Sequence, residues 1–426
     1  MGEPRPSSPP AAVVVGVGDE LLLGETVDTN GTWLSGEMSR LGFQVLGREV
    51  VPDVEEEIRE ALSRAMEEAD VVLLTGGLGP TRDDLTREVV AAHLNRGLEV
   101  STELLAELRE RFRARGYDEI PFHSRKMATV PEGATVLRNA RGAAPALAMD
   151  VGQALCILFP GVPREMKELF REGAAPLLRT RFRDRLRPVH LRTVYTSGIP
   201  ESVLSEKAEK VLPADTGPVS IAFLPDVRGV RIRLTARGLR EEAEAEEWFS
   251  RIEESLEPVL APYRYESEAG DLAQALGEAL MDGKAKLSVA ESCTGGLVAK
   301  RLTDHAGSSR FFLGGVVAYD DEIKSRLLGV DENVLEAKGA VSGEVAEAMA
   351  RGVARRFGTR AGIGVTGVAG PGGGTSEKPV GTVWYAAFLD DEVRVRKEGF
   401  PGDRSDVRER SAQAAMTLLF RMLKEG

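Results

Sequence analysis

The feature that most constrains the fold is the alternation of short apolar runs with amphipathic stretches. The first series begins at Ala11 with AAVVVGVG, continues through EEEIREALSRAMEEAD and reaches VVLLTGG and TREVVAAHL. Apolar runs of about four to eight residues are typical of buried parallel strands, and the stretches between them have helical spacing. This alternation predicts a doubly wound α/β sheet.

Length predicts more than one domain, because 426 residues at about 150 per domain give about three. We predict a doubly wound N-terminal domain that ends at the charged run RTRFRDRLRP, a small α+β middle domain with a hairpin turn at Asp226–Gly229, and a separate α/β C-terminal domain. The middle domain has no GxxG loop of the kind that clamps nucleic acid, so we expect it to be structural or dimer-forming. The predicted ranges are 1–10 for a disordered tail, 11–180, 181–267 and 268–426.

Composition excludes several classes of protein. No apolar run approaches the roughly 18 residues of a membrane-spanning helix. The net charge of −12 opposes sequence-independent binding to a phosphate backbone. Two cysteines and four scattered histidines provide neither a disulfide framework nor a zinc site. The first ten residues are too polar and Pro-rich for a signal peptide, and we expect a protein of the reducing cytoplasm.

A glycine loop follows the third apolar run, in VVLLTGGLGPTRDDLT. Gly76, Gly77 and Gly79 let backbone N–H groups approach an anion, and the next helix favours phosphate at its N-terminus. The loop lacks the Lys-Ser/Thr of a Walker motif and is not GxGxxG. Asp83 and Asp84 are predicted to open the helix. Carboxylates beside a phosphate need a cation between them, so we infer a divalent ion, unless both residues merely cap the helix.

Acidic residues also follow the first strand, in GVGDELLLGETVDTNGTWL. Asp19, Glu20, Asp28 and Asn30 come at the edge where doubly wound sheets bind ligands. Charged residues after a buried strand are common, but the two loops together predict one site.

A second glycine loop, AESCTGGLVAKRL, places Gly295 and Gly296 between a strand and a helix. Ser292 or Thr294 is the predicted N-cap, and the exposed N–H groups suit a phosphate or an oxyanion. Cys293 is either a nucleophile or, as we favour, a small buried residue beneath the loop.

The segment AGSSRFFLGGVVAYDDEIKSRLLGV carries Ser308, Ser309, Tyr319 and Lys324. A tyrosine at a strand end and a lysine one turn into the next helix can converge. A partly buried lysine favours its neutral form and can accept a serine proton, directly or through the phenol. The alternatives are a core aromatic at Tyr319 and an exposed Lys324 paired with Glu322 or Asp321.

These residues lie in long motifs, GxGDELLxGxxxDTNxxWL, TGGLGPTxDDLT, MATVPEGATVLRN and FPGVPxEM, with AESCTGG, GSSxxFxGGVVxY, VTGVAGPGGGTxEKPVGTVW and FPGDRxxVRxxS farther on. From Ala11 onward the chain resembles the CinA (competence/damage-inducible) family, whose first domain is similar to molybdopterin-binding domains. For that domain the resemblance implies cation-dependent hydrolysis of ADP-ribose to AMP and ribose 5-phosphate, with Asp84 and Asp53 at the matching acidic positions. For the last domain it implies a nicotinamide mononucleotide (NMN) deamidase that needs no cofactor, with Ser309, Tyr319 and Lys324 as the catalytic set.

The remaining expectations concern ligands and partners. The cation, of the Mg or Co type and with a monovalent ion left open, is assigned to Glu20, Asp28, Asp83 and Asp84. Arg404 is predicted to contact the substrate phosphate, or else to pair with Asp403 or Asp406. We expect a homodimer with no nucleic-acid or membrane partner; the rival functions are a molybdopterin nucleotidyl transferase and a non-enzymatic competence regulator. The predicted substrate-binding residues are Asn30, Gly76, Gly77, Gly79, Thr294, Gly295, Gly296, Gly372, Gly373, Thr375 and Arg404.

Overall fold

The buried apolar runs form strands of mixed α/β sheets in a computed structural model that describes residues 8–239 and 241–425. Residues 1–7 of the predicted tail lie outside the described residues. One compact unit runs to Leu191 and includes Ala236–Ala245, and the second comprises Arg192–Thr235 and the chain from Glu246 onward. The predicted fold class is confirmed.

The first unit contains a six-stranded sheet in the order β2-β1-β3-β8-β7-β6 and a separate pair, β4-β5. Strands β2, β1, β3 and β8 are parallel, whereas β7 and β6 are antiparallel. Its strands are β1 Ala11–Val17, β2 Gln44–Val51, β3 Val71–Thr75, β4 Leu98–Val100, β5 Thr129–Pro131, β6 Thr135–Leu137, β7 Ala146–Val151 and β8 Ala154–Phe159. Its helices are α1 Asp19–Leu22, α2 Thr29–Leu41, α3 Glu55–Glu68, α4 Thr86–His93, α5 Thr102–Ala114, α6 Pro163–Leu169 and α7 Ala175–Phe182.

Both faces of this sheet are buried, which explains why its strands are continuously apolar. Alternate residues of β1 face opposite sides: Val13 and Val15 join the core with α3, while Ala12 and Val14 join the core with α2. The charged run after residue 178 does not break the unit, because α7 continues to the buried Phe182. Beyond it, Arg185 forms an ion pair with Asp70 of the same unit at 2.6 Å.

The middle module is a four-stranded sheet in the order β10-β11-β9-β12. The predicted turn between β10 and β11 is present, and the Asp226 carboxylate accepts the N–H groups of Arg228 and Gly229. The elements are β9 Val189–Thr196, α8 Glu201–Glu209, β10 Val219–Asp226, β11 Gly229–Arg237, α9 Glu242–Leu260 and β12 Arg264–Tyr265.

The C-terminal sheet has the order β14-β13-β15-β16-β17, in which β14, β13 and β15 are parallel. The three parallel strands end at the same edge of the sheet, where three loops meet. None of the described helices is long and apolar enough to cross a membrane. The elements are α10 Leu272–Asp282, β13 Leu287–Glu291, α11 Leu297–Thr303, β14 Phe312–Val317, α12 Asp321–Leu328, α13 Glu332–Lys338, α14 Gly343–Phe357, β15 Ala361–Gly367, β16 Thr382–Leu389, β17 Glu392–Gly399 and α15 Arg404–Glu425.

Candidate active sites

The first site is a cavity of about 530 Å³ at the carboxyl ends of β1, β3 and β8. Parallel strands bring the loops that follow them to one edge, so segments far apart in sequence meet here. The structure brings together all nine residues that the sequence assigns to this domain's site. They are Glu20, Asp28, Asn30, Asp53, Gly76, Gly77, Gly79, Asp83 and Asp84.

The glycine loop of this cavity depends on the absence of side chains. Gly76 has a φ of +110°, and a Cβ there would lie 2.1 Å from the carbonyl oxygen of Val17. Gly79 closes the turn because its N–H donates to Asp84 Oδ1 at 2.7 Å. Glycine at Gly76 thus lets β1 and β3 approach at the sheet edge.

The predicted position of Asp83 and Asp84 in the helix is wrong, and so is the alternative that they cap it. Helix α4 begins at Thr86 with Leu85 as its N-cap. The Asp84 carboxylate instead accepts the N–H of Gly79 and both the N–H and the hydroxyl of Thr81. Both oxygens of Asp84 are therefore engaged in shaping the loop. Asp28 is engaged as well, because it caps α2 by accepting the N–H of Gly31.

Two basic residues that the sequence analysis missed hold the loop from beneath. Arg87 is 1% exposed and donates to the carbonyl oxygens of Leu78 and Lys126. Lys126 Nζ donates to the carbonyl oxygens of Thr81 and Asp84, at 2.9 and 2.6 Å. Burial lowers the pKa of the Arg87 guanidinium. The signal in the sequence was weak, since Lys126 is the first lysine of the chain but lies far from the loop.

The carboxylate of Asp53 is repelled by three neighbouring carboxylates. Burial raises the pKa of Asp53, as do the charges of Asp19, Glu20 and Asp83, against a hydrogen bond from the Asp19 N–H that lowers it. Four carboxyl groups thus share one region of negative potential, which favours a cation. Asp19 was expected at this edge but was not assigned to the cation, although its N–H donates to Asp53 at 3.0 Å.

Asn30 presents an unpaired acceptor to the same cavity. Its Nδ2 donates to Thr75 Oγ1 at 3.1 Å and to the Gly161 carbonyl at 2.7 Å, which fixes the orientation of the amide. Its Oδ1 is buried without a partner, and the residue is 9% exposed. A buried acceptor without a donor is costly, so this atom suits a ligand hydroxyl or a cation.

The residues fit a cation that a ligand helps to hold. No group of three or more His, Cys, Asp or Glu side chains is arranged to bind a metal among residues 8–239 and 241–425. Magnesium, however, commonly takes one or two carboxylates together with substrate phosphates. Glu20, Asp53 and Asp83 line the cavity and remain the carboxylates best suited to that role.

The second site lies at the carboxyl edge of the C-terminal sheet. Ser292 follows β13, Tyr319 follows β14, and the loop after Gly367 follows β15. The N–H of Ala318 donates to the Glu291 carbonyl at 2.8 Å, and the N–H of Ser292 donates to the Val365 carbonyl at 2.9 Å. Ser292 and Tyr319 therefore follow the ends of adjacent strands, and neighbouring strands lie about 4.8 Å apart.

The structure does not bring Ser309 to Tyr319 and Lys324 within this chain. Ser309 lies in a short helical turn before β14, and Tyr319 follows the other end of that strand. Six strand residues at about 3.3 Å each separate them by roughly 20 Å. The serine that shares the edge with Tyr319 is Ser292, which is 9% exposed. The sequence analysis considered Ser292 only as a cap.

Arg404, Tyr319 and Lys324 are linked. Arg404 donates to the Tyr319 hydroxyl at 2.9 Å and to the Gly370 carbonyl at 2.6 Å. Lys324 is 1% exposed, and its Nζ donates to Asp321 Oδ1 at 2.9 Å and to the Tyr319 carbonyl at 3.3 Å. The exposed position considered for Lys324 is wrong, although its pairing with Asp321 is present. Tyr319 is no core aromatic, because it is 60% exposed.

The N-terminus of α11 is already occupied, which corrects the expectation of free N–H groups and of a serine or threonine cap. The N-cap is Gly296, and the buried Glu291 carboxylate accepts the N–H groups of Gly296, Val298 and Ala299 at 2.9 to 3.0 Å. Burial raises the pKa of the Cys293 thiol to about 12. Cys293 is thus the small buried residue that we favoured.

The other predicted binding residues surround this edge. Gly372, Gly373 and Thr375 lie in the exposed loop after β15, whose Gly370 carbonyl accepts Arg404. Thr294 and Gly295 lie in the loop after β13, where Arg408 of α15 donates to the Thr294 carbonyl at 2.8 Å. The Thr294 hydroxyl is buried without a partner. Arg408 was missed, and its only signal was its place in FPGDRxxVRxxS.

Sequence models of three families match successive parts of the chain. The model described as "Probable molybdopterin binding domain" matches residues 13–180, "Damage-inducible protein CinA KH domain" matches 191–265, and "CinA C-terminal domain" matches 269–423. Residues 191–265 match the KH model although they lack the GxxG loop that clamps nucleic acid.

Relatives match nearly the full length. A CinA-like protein of Gemmatimonas aurantiaca is 41% identical over 96% of this chain and 95% of its own. A CinA-like protein of Salinibacter ruber is 40% identical over 95% and 97%, respectively. A crystal structure of CinA, of unknown function, from Thermoplasma acidophilum is 34% identical over 40% of this chain and 99% of its own, with a TM-score of 0.38. With such identity along almost its whole length, the chain belongs to the CinA family.

Proposed function

We propose that the chain is a bifunctional hydrolase of pyridine-nucleotide fragments. Its C-terminal site would convert NMN and water to nicotinate mononucleotide and ammonia. Its N-terminal site would convert ADP-ribose and water to AMP and ribose 5-phosphate. The observation that carries the proposal is the meeting of Ser292, Tyr319, Lys324 and Arg404 at one sheet edge, because a serine beside proton-accepting groups is what amide hydrolysis requires.

The amidohydrolase step begins with Ser292 in place of Ser309. Ser292 Oγ attacks the carboxamide carbon, and its proton passes to Tyr319 or to Lys324. The carbon–nitrogen bond then breaks, and ammonia leaves with that proton. Water hydrolyses the acyl-serine ester, which releases nicotinate mononucleotide and restores the serine. All atoms are supplied by the substrate and one water.

The charged groups beside Tyr319 and Lys324 support their proposed roles as proton acceptors. The Arg404 guanidinium donates to the Tyr319 hydroxyl, so it stabilises negative charge that builds on that oxygen. Lys324 can accept the serine proton only as a neutral amine. Its partner is Asp321, whose side chain is 57% exposed. We propose that Gly372, Gly373 and Thr375 contact the ribose phosphate, with Arg404 sharing that contact.

Two single variants test which serine acts. Ser292→Ala in the full chain should abolish ammonia release from NMN, whereas Ser309→Ala should retain it. Ammonia would be measured by a coupled enzymatic assay, with circular dichroism to check that both variants fold. Wild-type release by Ser292→Ala would refute the role of Ser292, and loss only in Ser309→Ala would restore the assignment made from sequence.

Lys324→Ala should also lose ammonia release while it cleaves ADP-ribose normally.

The N-terminal proposal uses the first cavity. Its volume falls within the range of about 300–1,000 Å³ that is usual for small-molecule sites. Glu20, Asp53 and Asp83 would hold a divalent cation of the Mg or Co type, with a monovalent cation as a possible addition to test. When bound, the cation would neutralise the pyrophosphate and activate water. Asn30 Oδ1 would accept a hydroxyl of the ligand, and the backbone of Gly76, Gly77 and Gly79 would face the phosphates.

Removal of the cation separates the two activities. Treatment with EDTA should abolish AMP formation from ADP-ribose, measured by chromatography, and leave ammonia release from NMN unchanged. Addition of excess Mg²⁺ or Co²⁺ should restore AMP formation. Full AMP formation in EDTA would contradict a cation-dependent site.

A nucleotidyl transferase acting on molybdopterin is the alternative function, because the N-terminal domain matches a molybdopterin-binding family. Incubation of the protein with molybdopterin and ATP would detect it as an adenylated product. Absence of turnover on every substrate would favour the non-enzymatic regulator. We further propose a cytoplasmic homodimer that contacts neither nucleic acid nor membrane.

A further inference from the structure

A cavity of about 740 Å³ lies in the second unit, where the middle module meets the C-terminal domain. Its walls are the hairpin segment 225–230, strand β17 and helix α15. None of the residues assigned to the two active sites lines it. The proposed chemistry therefore leaves this cavity without a role.

Three arginines that line the cavity have no carboxylate partner among residues 8–239 and 241–425. Arg396 of β17 donates to the carbonyl of Val395, and Arg421 of α15 donates to the carbonyls of Ser197 and Gly198. Arg410 of α15 forms no hydrogen bond among the described residues, and its Nε is buried without a partner. A buried donor left unpaired is costly, so the arrangement favours an incoming acceptor.

Two acidic residues of the cavity have partners in its own wall. Glu425 pairs with Arg394, and Glu398 accepts the hydroxyl of Tyr385. Asp226 accepts the N–H groups of its own turn, which leaves Glu201 as the fourth carboxylate. Five arginines and four carboxylates line the cavity, so arginines outnumber carboxylates there, whereas the chain as a whole has a net charge of −12.

The chemistry of these groups selects the class of ligand. A guanidinium presents a planar fork of donors that matches phosphate or carboxylate oxygens. The cavity is also lined by Phe400, against which a flat ring can pack, and by Tyr385, which is only 4% exposed. We propose that this cavity is a third ligand site, which binds a phosphorylated small molecule through Arg396 and Arg410.

Calorimetric titration of the full chain with inorganic pyrophosphate in EDTA tests the proposal. The variant Arg396→Gln/Arg410→Gln should lose one class of binding site or bind at least about tenfold more weakly, since each charge-assisted contact contributes roughly one factor of ten. The control Arg355→Gln/Arg356→Gln removes the same charge from two exposed arginines of α14 and should bind as the wild type does.

Two results of the titration would overturn the site. One is identical titration of the wild type and the cavity variant. The other is an equal loss in the control, which would mean that overall charge alone governs binding. Arg410→Lys guards against a folding defect, because it keeps the charge and removes the fork; it should bind more weakly than wild type at unchanged melting temperature. In the wild type, pyrophosphate should protect Arg410 from phenylglyoxal, as read by peptide mass, and equal labelling with and without pyrophosphate would also refute the site.

Discussion

At the scale of single residues, Asp53 gives a test in which function and stability oppose each other. Burial and three neighbouring carboxylates raise its pKa above the ordinary 3.8, so the folded state disfavours the charged form. The contribution of Asp53 to stability is then most favourable below the ordinary pKa and falls as the pH rises through the raised value. Asp53→Asn should therefore raise the melting temperature at pH 7, with little gain near pH 3.5, and it should lower ADP-ribose cleavage.

The pKa of a second aspartate in the same cavity, Asp83, is shifted in the opposite direction. Hydrogen bonds from its own backbone and from Thr81 lower the pKa of Asp83. Asp83→Asn should thus give no gain in melting temperature at pH 7. Equal stabilisation by both variants would mean that a general relief of negative charge, and not the position of Asp53, is responsible.

The residues that sequence predicted well are those whose place follows from topology. Parallel strands end at one edge, so the acidic loop after β1 and the glycine loop after β3 had to meet, and Asn30 and Gly76 line one cavity with Asp53, which was named from the family resemblance. Ser309 failed to meet Tyr319 for the same reason, because the two lie before and after the same strand. The roles of Asp84, Arg87 and Lys126 depend on hydrogen bonds within and beneath a loop, and residue spacing carries no such information.

At the scale of elements, α11 shows how a buried carboxylate can replace a ligand at a helix N-terminus. Glu291 is 1% exposed and satisfies three N–H groups. Its strand position also sets Ser292 at the sheet edge. The loop AESCTGG is therefore built around an internal anion, and the phosphate of the proposed substrate would have to be held by other groups.

Replacement of this anion should destabilise the protein. Glu291→Ala leaves three N–H groups unpaired, and at about 1 kcal/mol or more for each we expect a loss of at least about 3 kcal/mol in the free energy of unfolding. Glu291→Gln keeps one acceptor oxygen and should lose less. Urea denaturation would measure both. A loss in Glu291→Ala below about 1 kcal/mol would mean that water replaces the carboxylate.

At the scale of the whole molecule, buried polar contacts join the middle module to the C-terminal domain within the second unit. Asp271 pairs with Arg301 at 2.5 Å and with Arg228 of the hairpin at 3.2 Å. Gln413 of α15 accepts from Arg301 at 2.8 Å and donates to Ser197 of the middle module at 2.9 Å. The side chain of Arg301 is 2% exposed, and the carboxylates that compensate its charge are Asp271 and, at 4.0 Å, Glu409.

Asp271→Asn tests that compensation without removing the helix cap. Asp271 caps α10 through the N–H of Ala273, and asparagine caps helices equally well, so the variant mainly removes the charge. Loss of one partner of a buried pair costs about 3 kcal/mol or more. Asp390→Asn is the matched control, because Asp390 pairs with Arg360 on the surface, where an ion pair contributes about 1 kcal/mol or less.

The pH dependence distinguishes a charge effect from a packing effect. Burial alone would raise the pKa of Asp271, but the hydrogen bond and charge of Arg301 lower it below the ordinary 3.8. Its contribution is therefore present above pH 3.8 and is lost as the pH falls through the lowered pKa. The difference in unfolding free energy between wild type and Asp271→Asn should be constant from pH 5 to 8 and shrink below about pH 3.8. A difference that persists unchanged in acid would assign the effect to packing of the amide.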